Sequence, residues 1–235
     1  RPDLQHRALN KVHQLALAQS LGIRIPETLV SNDPNEVESF ISRHMHVVGK
    51  TFTPAFWHLT GQSGYAVSNT FEMSMEDFDA GSIAAAPTIF QERLKKEREW
   101  RVCVFQDRIE AFVVFDAEYE SEIHVDHRIT HSLPGRYAIK RALPHEVLDW
   151  IMTLLAELGL MMGQFDLIET NGEFVFLEVN PGGQFLFLEQ WNKEAGLLSA
   201  FLEFLTATNV LSAGQRRDIK NARFDLDSPL GSACA

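Results

Sequence analysis

Three side chains that offer oxygen ligands, Asp166, Glu178 and Asn180, lie in one short segment that the residue pattern divides into two β-strands and a tight turn. Mg²⁺ is a hard cation that takes oxygen ligands and usually joins protein carboxylates to the phosphates of a nucleotide. If both strands turn these side chains to one face of a sheet, the segment predicts a metal site in a nucleotide-dependent enzyme. If they do not, the segment is an edge hairpin with solvated acids.

The register of this hairpin decides which side chains share a face, because side chains alternate along a strand. The usual interpretation of Asn171-Gly172 is a two-residue type I′ turn. That turn sets Asp166 opposite Leu177, so that Glu178 points to the other face.

A three-residue loop shifts the register by one residue and changes the outcome. With a loop over Thr170–Gly172, Asp166 faces Phe176 and lies diagonal to Glu178, on the same face as Asn180. Such a loop needs a left-handed residue at its last position, which glycine supplies at no steric cost. We therefore predict the bulged three-residue loop, because it is the register that assembles the metal site.

The composition indicates an ordinary globular protein and argues against some partners. Of 235 residues, 45% are hydrophobic and 23% are charged. The net charge of −11, from 21 basic and 32 acidic residues, disfavours a nucleic-acid surface, which needs a basic footprint. Two cysteines give no disulfide framework. No apolar stretch approaches the roughly 18–20 residues of a membrane span and no signal peptide is visible, so we expect a cytoplasmic protein without a membrane partner.

Alternating helix and strand patterns predict an α+β fold made of two halves. Helices are predicted over 6–21, from 34 onward, and over 75–85, 144–158 and 193–206; strands over 25–30, 46–50, 65–72, 86–92, 100–105, 109–115 and in the hairpin. Residues 1–92 form the smaller half, 93–211 the larger half with the hairpin, and 212–235 a tail. Residues 51–64 contain two glycines and are predicted to form an irregular, mobile flap. Ligands favour the crevice between two such halves.

Further polar residues could join Asp166, Glu178 and Asn180 of the hairpin in one site. Lys11 lies on the first helix, and Lys50 ends an apolar strand just before the flap. The connection Gln91–Leu94 lies where the halves meet, and Arg101 begins the following strand. These residues could also have no role in a site. The lysines would then be solvated surface residues, and Arg101 would only pair with Glu99 or Glu110 on its own hairpin.

In order and spacing these stretches resemble the ATP-grasp superfamily, and most closely its peptide-modifying branch, the microviridin- and marinostatin-type (graspetide) ligases. The resemblance spans residues 8–206. It is carried by Asn10-Lys11, Val47–Lys50, Phe90–Glu92, Glu99–Arg101, Asp126–Arg128, Gly163–Asp166 and Asn180–Gln184. An Asp followed after twelve residues by Glu-x-Asn is characteristic of the superfamily. Asp-x-Arg and Asn-Pro-x-Gly-Gln point to the peptide-ligase branch.

The resemblance implies ATP and Mg²⁺ as cofactors and assigns a role to each motif. Lys11 and Lys50 would contact the ATP phosphates; Gln91, Glu92, Arg93 and Leu94 would hold the adenine end; Asp166, Glu178 and Asn180 would bind Mg²⁺. Arg101 would steady the transferred phosphoryl group, and Arg128 would lie beside the acidic side chain that is activated. An Asp126–Arg128 turn that is simply solvated is the alternative for the last role.

The implied reaction is ATP-dependent ligation of carboxylates. The implied partner is a precursor peptide whose acidic side chains are joined to hydroxyl or amine side chains, with a homodimer as one possible assembly. Two other functions stay open: a ligase of small amino acids or glutamate, of the glutathione-synthetase type, and a nucleotide- or peptide-binding module without turnover. Family members carry a further N-terminal α/β domain before the first helix, which we expect this chain to lack.

Overall fold

A computed structural model describes residues 7–52, 56–58, 65–67, 70–117 and 137–207, with the backbone alone for 56–58 and 65–67. In chain order, these residues form α1 (Lys11–Ser20), β1 (Thr28–Ser31), α2 (Pro34–His44), β2 (His46–Lys50), β3 (Phe56–His58), β4 (Tyr65–Val67), β5 (Phe71–Ser74), a 3₁₀ turn (Met75–Asp77), α3 (Ala80–Ala85), β6 (Thr88–Glu92), β7 (Arg98–Phe105), β8 (Arg108–Asp116), β9 (Ile139–Lys140), α4 (His145–Glu157), β10 (Met162–Thr170), β11 (Glu173–Asn180), α5 (Phe187–Trp191) and α6 (Leu197–Ala207).

The smaller sheet contains four antiparallel strands in the order β1-β6-β2-β5. Helices α2 and α3 cover one face through an apolar cluster that includes Phe40, Ile83 and Phe90. Helix α2 begins where it does because Asp33 accepts a hydrogen bond from the Asn35 N–H at 2.9 Å, with a proline at the first helical position.

The larger sheet contains five antiparallel strands in the order β11-β10-β7-β8-β9. One face packs against α1 and α4 through residues such as Leu15, Ile151 and Phe165. The other face packs against α5 and α6 through Phe112, Leu188 and neighbouring side chains. The polar side chains of β7, β10 and β11 that the sequence singles out lie on this second face.

Helix α1 packs against the larger sheet although it precedes the smaller sheet in the chain. Leu15 and Ala18 are buried in the core beneath that sheet. The sequence-based division placed this helix with residues 1–92, but its apolar face finds its partners on β11 and α4 instead. The boundary at residue 92 itself stays a prediction.

The turn of the β10–β11 hairpin differs from the prediction. Thr170 pairs with Glu173, and both Asn171 (φ 51°) and Gly172 (φ 74°) adopt left-handed conformations. This is the two-residue turn that the Asn-Gly dipeptide favours, so the predicted three-residue loop is wrong.

The extra residue lies inside β11 rather than in the turn. Asp166 pairs with Glu178 while Leu167 pairs with Phe176, which leaves Leu177 as a bulge. The core explains its position: Phe176 and Val179 are three residues apart, yet both are buried in the same cluster. Strict alternation would put them on opposite faces, so one residue must be skipped.

Most predicted elements are found, with several differences. Strand β9 was not predicted, β4 and β5 of the predicted strand 65–72 belong to different sheets, and the helix predicted over 75–85 is a 3₁₀ turn followed by α3. The strand predicted over 46–50 and the helix over 144–158 agree with the structure to within a residue or two. Helix α5 is missed, because its aromatic residues indicate only burial. The flap predicted over 51–64 is not wholly irregular, since β3 within it pairs with β4.

Candidate active site

Four charged side chains form a row across the larger sheet and onto α1, with a cation at each end and two carboxylates between them. Arg101 on β7 lies opposite Asp166 on β10, which lies opposite Glu178 on β11. The guanidinium Nη1 of Arg101 is 2.6 Å from Asp166 Oδ1, and Lys11 Nζ is 3.1 Å from Glu178 Oε2. Asn180 lies two residues beyond Glu178 on the same face. The structure thus brings together two predicted phosphate-binding or catalytic cations and all three predicted metal ligands.

A buried glutamine fixes α1 against β11 and so sets the place of Lys11. The Gln14 side chain donates to the Val179 carbonyl at 2.8 Å and accepts from the Val179 N–H at 2.9 Å. It thereby satisfies backbone groups of the edge strand that would otherwise be buried without partners. Asn10 caps the helix by accepting from the His13 N–H at 3.0 Å. Lys11 is consequently held beside Glu178 at the first turn of the helix.

The row is largely withdrawn from water. The Arg101 side chain is 6% exposed and that of Asp166 is 12% exposed. A buried charge is costly unless it is paired, so each charge in the row depends on its neighbour. The Arg101 guanidinium also lies 5.9 Å from the centroid of the Phe187 ring, at the outer range of a cation–π contact.

The acids that sequence reasoning offered as alternative partners of Arg101 pair with other residues. Glu99 pairs with Lys96. Glu110 contacts Arg108 at 2.9 Å and Lys140 at 2.5 Å. Arg101 pairs instead with an acid of the adjacent strand that is distant in sequence, which puts its charge at the predicted metal ligands.

The donor set fits a hard divalent cation. Two carboxylates and a side-chain amide on one face supply the oxygen ligands and negative charge that Mg²⁺ requires. Lys11 and Arg101 lie against the two carboxylates and supply positive charge to them. Within the described ranges, no three His, Cys, Asp or Glu side chains cluster as a metal site, so an all-protein cage of those residue types is absent there. Mg²⁺ suits such an open set, because it usually keeps water and phosphate ligands.

The predicted nucleotide residues of the smaller sheet are engaged with neighbouring strands. Lys50 is half-buried at the end of β2, opposite Ile89 of β6. Gln91 is buried and donates to the Thr28 hydroxyl at 3.1 Å. Arg93 is exposed and forms an ion pair with Glu72 of β5.

The backbone of the connection after β6 is also partly used. The Glu92 N–H donates to the Glu27 carbonyl at 3.0 Å, while the Glu92 carboxylate accepts from the Glu27 N–H at 3.0 Å. The Arg93 N–H donates to the His46 carbonyl at 3.4 Å. Leu94 is half-buried at the end of the connection. Recognition of adenine by the first two N–H groups would require these hydrogen bonds to break. Arg128 lies outside the described residues.

Sequence reasoning missed two buried glutamines in this region. The only sign of the role of Gln14 in the sequence is that it is a polar residue on the apolar face of α1. Gln164 carries a clearer signal, since it lies two residues before Asp166 in one strand and must share its face. Cys103, which pairs with Gln164 in the sheet, is fully buried, and burial raises the pKa of its thiol to about 12. It is therefore a small apolar side chain and not a nucleophile.

Comparison with solved structures finds related folds. A RiPP-associated ATP-grasp ligase from Chryseobacterium gregarium, in complex with ADP and a leader and core peptide, matches with a TM-score of 0.76 at 25% identity, over 88% of this chain and 62% of that one. The macrocyclase MdnC from Microcystis aeruginosa MRC, bound with precursor peptide MdnA, matches at 0.73 with 26% identity, over 87% and 62%. The macrocyclase MdnB from the same organism matches at 0.65 with 30% identity, over 86% and 61%.

The chain spans 61–62% of the length of these three structures. No protein-family model matches the sequence, and the search of curated proteins gives no match. In the described part of the chain, no helix is long and apolar enough to cross a membrane.

Proposed function

The chain has the ATP-grasp fold and resembles the RiPP-associated ligases, and from this premise we propose that it is an ATP-dependent ligase that crosslinks a ribosomally made precursor peptide. It activates acidic side chains of the peptide as acyl phosphates. Hydroxyl or amine side chains then displace phosphate and form esters or amides.

The observation that carries this proposal is the row of charges on the larger sheet, in which Arg101 and Lys11 flank Asp166 and Glu178. Phosphoryl transfer to a carboxylate brings two anions together, so catalysis consists mainly of positioning and of offsetting their charge. The buried Arg101 within ion-pair distance of Asp166, and Lys11 within ion-pair distance of Glu178, supply both functions. A solvated edge hairpin would not keep such groups buried.

Each group in the row has a proposed role. Asp166, Glu178 and Asn180 hold Mg²⁺, which when bound neutralises and orients the ATP phosphates. Lys11, 3.1 Å from Glu178, lies within reach of a phosphate beside that carboxylate. Arg101 is directed toward the transferred phosphoryl group by its bond to Asp166. Lys50 of the smaller sheet adds a second lysine at the phosphates.

The reaction balances without an external oxidant or reductant. A carboxylate oxygen of the peptide attacks the γ-phosphorus, the bond to the bridging oxygen breaks, and ADP leaves. The hydroxyl oxygen or amine nitrogen then attacks the acyl carbon, phosphate leaves, and the nucleophile loses its proton. The peptide loses one water for each linkage. Three further groups are proposed to take part. Arg128 lies beside the activated acid, the Gln91–Leu94 connection holds the adenine, and the 51–64 flap excludes water.

Two of the structural neighbours support a peptide substrate in particular. The Chryseobacterium ligase was solved with a leader and core peptide and with ADP, and MdnC with a precursor peptide.

The proposal is tested by incubating the chain with ATP, Mg²⁺ and synthetic peptides rich in Asp, Glu, Thr, Ser and Lys. ADP release accompanied by the loss of one water per linkage in the peptide mass is the expected result. ADP release with free glutamate or alanine, and none with peptides, would instead establish the small-molecule ligase. A chain that binds no nucleotide in the presence of Mg²⁺ would overturn both.

A further inference from the structure

Gln164 is a buried amide without a partner at the edge of the predicted metal site. It lies on β10 opposite Asn180 of β11, two residues from Asp166 on the same face, and its side chain is 0% exposed. Among the residues that the structure describes, neither its amide nitrogen nor its amide oxygen has a hydrogen-bond partner. A buried polar group left in this state costs about 1–3 kcal/mol, so an apolar side chain of the same length would be more stable there. Fold stability therefore does not explain why a glutamine occupies this position.

The turn after β11 presses Gln164 and Asn180 into one small space. A Cβ added to Gly183 would lie 2.7 Å from Asn180 Cβ and 3.2 Å from Asn180 Cγ, and also 3.0 Å from Gln164 Oε1. The backbone of Gly183 therefore lies so close to both side chains that no space is left for a Cβ. A glycine at this position permits the close approach, which a larger residue would prevent.

The two amides have complementary hydrogen-bonding groups. The carbonyl oxygen of Asn180 has two lone pairs, and the amide of Gln164 has two N–H donors. One lone pair of Asn180 can face a cation while the other accepts from Gln164. Side chains that contact metals are commonly oriented by such a bond from a neighbouring residue, and loss of the neighbour typically lowers metal affinity 10–100-fold.

We infer that Gln164 is a positioning residue: its amide holds the Asn180 carbonyl toward the divalent cation that binds with the nucleotide. The inference rests on the proposed function, because it concerns the same metal site. Gln164 is too deeply buried to touch a peptide, and its contribution is made through Asn180.

Gln164→Met tests the inference, since it removes the amide and keeps the length of the side chain. Calorimetric titration of the non-hydrolysable analogue AMPPNP at a series of Mg²⁺ concentrations should show the Mg²⁺ midpoint rise by about 10-fold or more. Thermal stability without Mg²⁺ should be unchanged or higher, because an unsatisfied amide has been removed. Thr170→Val is the matched control: it removes a buried hydroxyl from the same strand, far from Asn180, and should leave the Mg²⁺ midpoint unchanged.

A double-mutant cycle separates positioning from packing. If Gln164 acts through Asn180, Gln164→Met should have no further effect on the Mg²⁺ midpoint in an Asn180→Ala background. Three outcomes would overturn the inference and leave the proposed function intact. They are an equal effect in both backgrounds, a wild-type Mg²⁺ midpoint for Gln164→Met, and a loss of stability of Gln164→Met without Mg²⁺. A wild-type chain whose AMPPNP binding ignores Mg²⁺ would overturn the proposed function together with it.

Discussion

The two sheets use their charged residues in different ways. On the larger sheet, Arg101 and Asp166 pair between central strands, and their side chains are 6% and 12% exposed. On the smaller sheet, Arg93, which follows β6, and Glu72 of β5 also form an arginine–carboxylate pair, but both side chains are 38% exposed. Both pairs join an arginine to a carboxylate, and they differ in burial.

The difference in burial means that the charges of the larger sheet carry a desolvation penalty, whereas the charges of the smaller sheet carry little. An exposed ion pair contributes about 0–1 kcal/mol and can form or vanish without consequence. Charges at the centre of a sheet are retained against a desolvation penalty, which is typical of sites where charge has a function. This difference supports the proposal that the chemistry takes place on the larger sheet, and the smaller sheet is proposed to help hold the nucleotide.

The largest expected effect comes from neutralising the two acids of the row. Asp166→Asn with Glu178→Gln keeps both shapes and removes the charges that would hold the cation, so ADP release with peptide should fall by about 100-fold or more. Glu173→Gln on the same strand is the control, since its carboxylate pairs with Arg24 at the exposed turn and should leave ADP release unchanged. Turnover by the double variant at the wild-type rate would remove these acids from the metal site.

The contrast between the sheets is tested by one substitution made in both. Arg101→Met leaves the buried Asp166 without its arginine and should lower the free energy of unfolding by about 3–5 kcal/mol. Arg93→Met should lower it by about 0–1 kcal/mol, because Glu72 is solvated. Urea denaturation of both variants provides the measurement. Equal losses would show that burial does not distinguish the two pairs.

The docking of α1 should depend on a single amide. Gln14→Leu removes the hydrogen-bond partner of the Val179 N–H and of the Val179 carbonyl. Each unsatisfied group costs about 1–3 kcal/mol, so the free energy of unfolding should fall by about 2–4 kcal/mol. Hydrogen exchange at the Val179 amide should accelerate at the same time. Gln19→Leu, on the exposed face of the same helix, should change neither quantity. Unaltered exchange in Gln14→Leu would mean that the helix is held by its apolar face alone.

The smallest expected effect concerns the hairpin turn. Gly172 has a φ of 74°, where a Cβ costs about 1–2 kcal/mol, so Gly172→Ala should be destabilising by that amount. Gly81 lies within helix α3, where alanine is preferred, so Gly81→Ala should stabilise by about 0.5–1 kcal/mol. Thermal unfolding of the two variants should therefore shift in opposite directions. A neutral Gly172→Ala would contradict the left-handed conformation of Gly172.

Local patterns in the sequence predict most elements but not the register that builds the site. Asn171-Gly172 correctly indicates a two-residue turn by its own chemistry, and the error arose from moving the extra residue into that turn. Leu177 carries no signal of a bulge, because the bulge follows from Phe176 and Val179 both entering one core. The sequence likewise offers Glu99 and Glu110 of the same hairpin as alternative partners of Arg101, whereas Asp166 is distant in the chain and only the strand order brings it near. Residues within a strand can be assigned to faces from sequence, but contacts between distant strands depend on the packed fold.

The central claim is that the charged row binds a nucleotide through a divalent cation. Calorimetric titration of AMPPNP into the chain tests this most directly, with Mg²⁺ present and with Mg²⁺ removed by EDTA. Binding should require Mg²⁺ and should be lost in the Asp166→Asn, Glu178→Gln variant at a temperature where circular dichroism shows this variant to be folded. Binding of equal affinity without Mg²⁺, or retained by the folded variant, would contradict it.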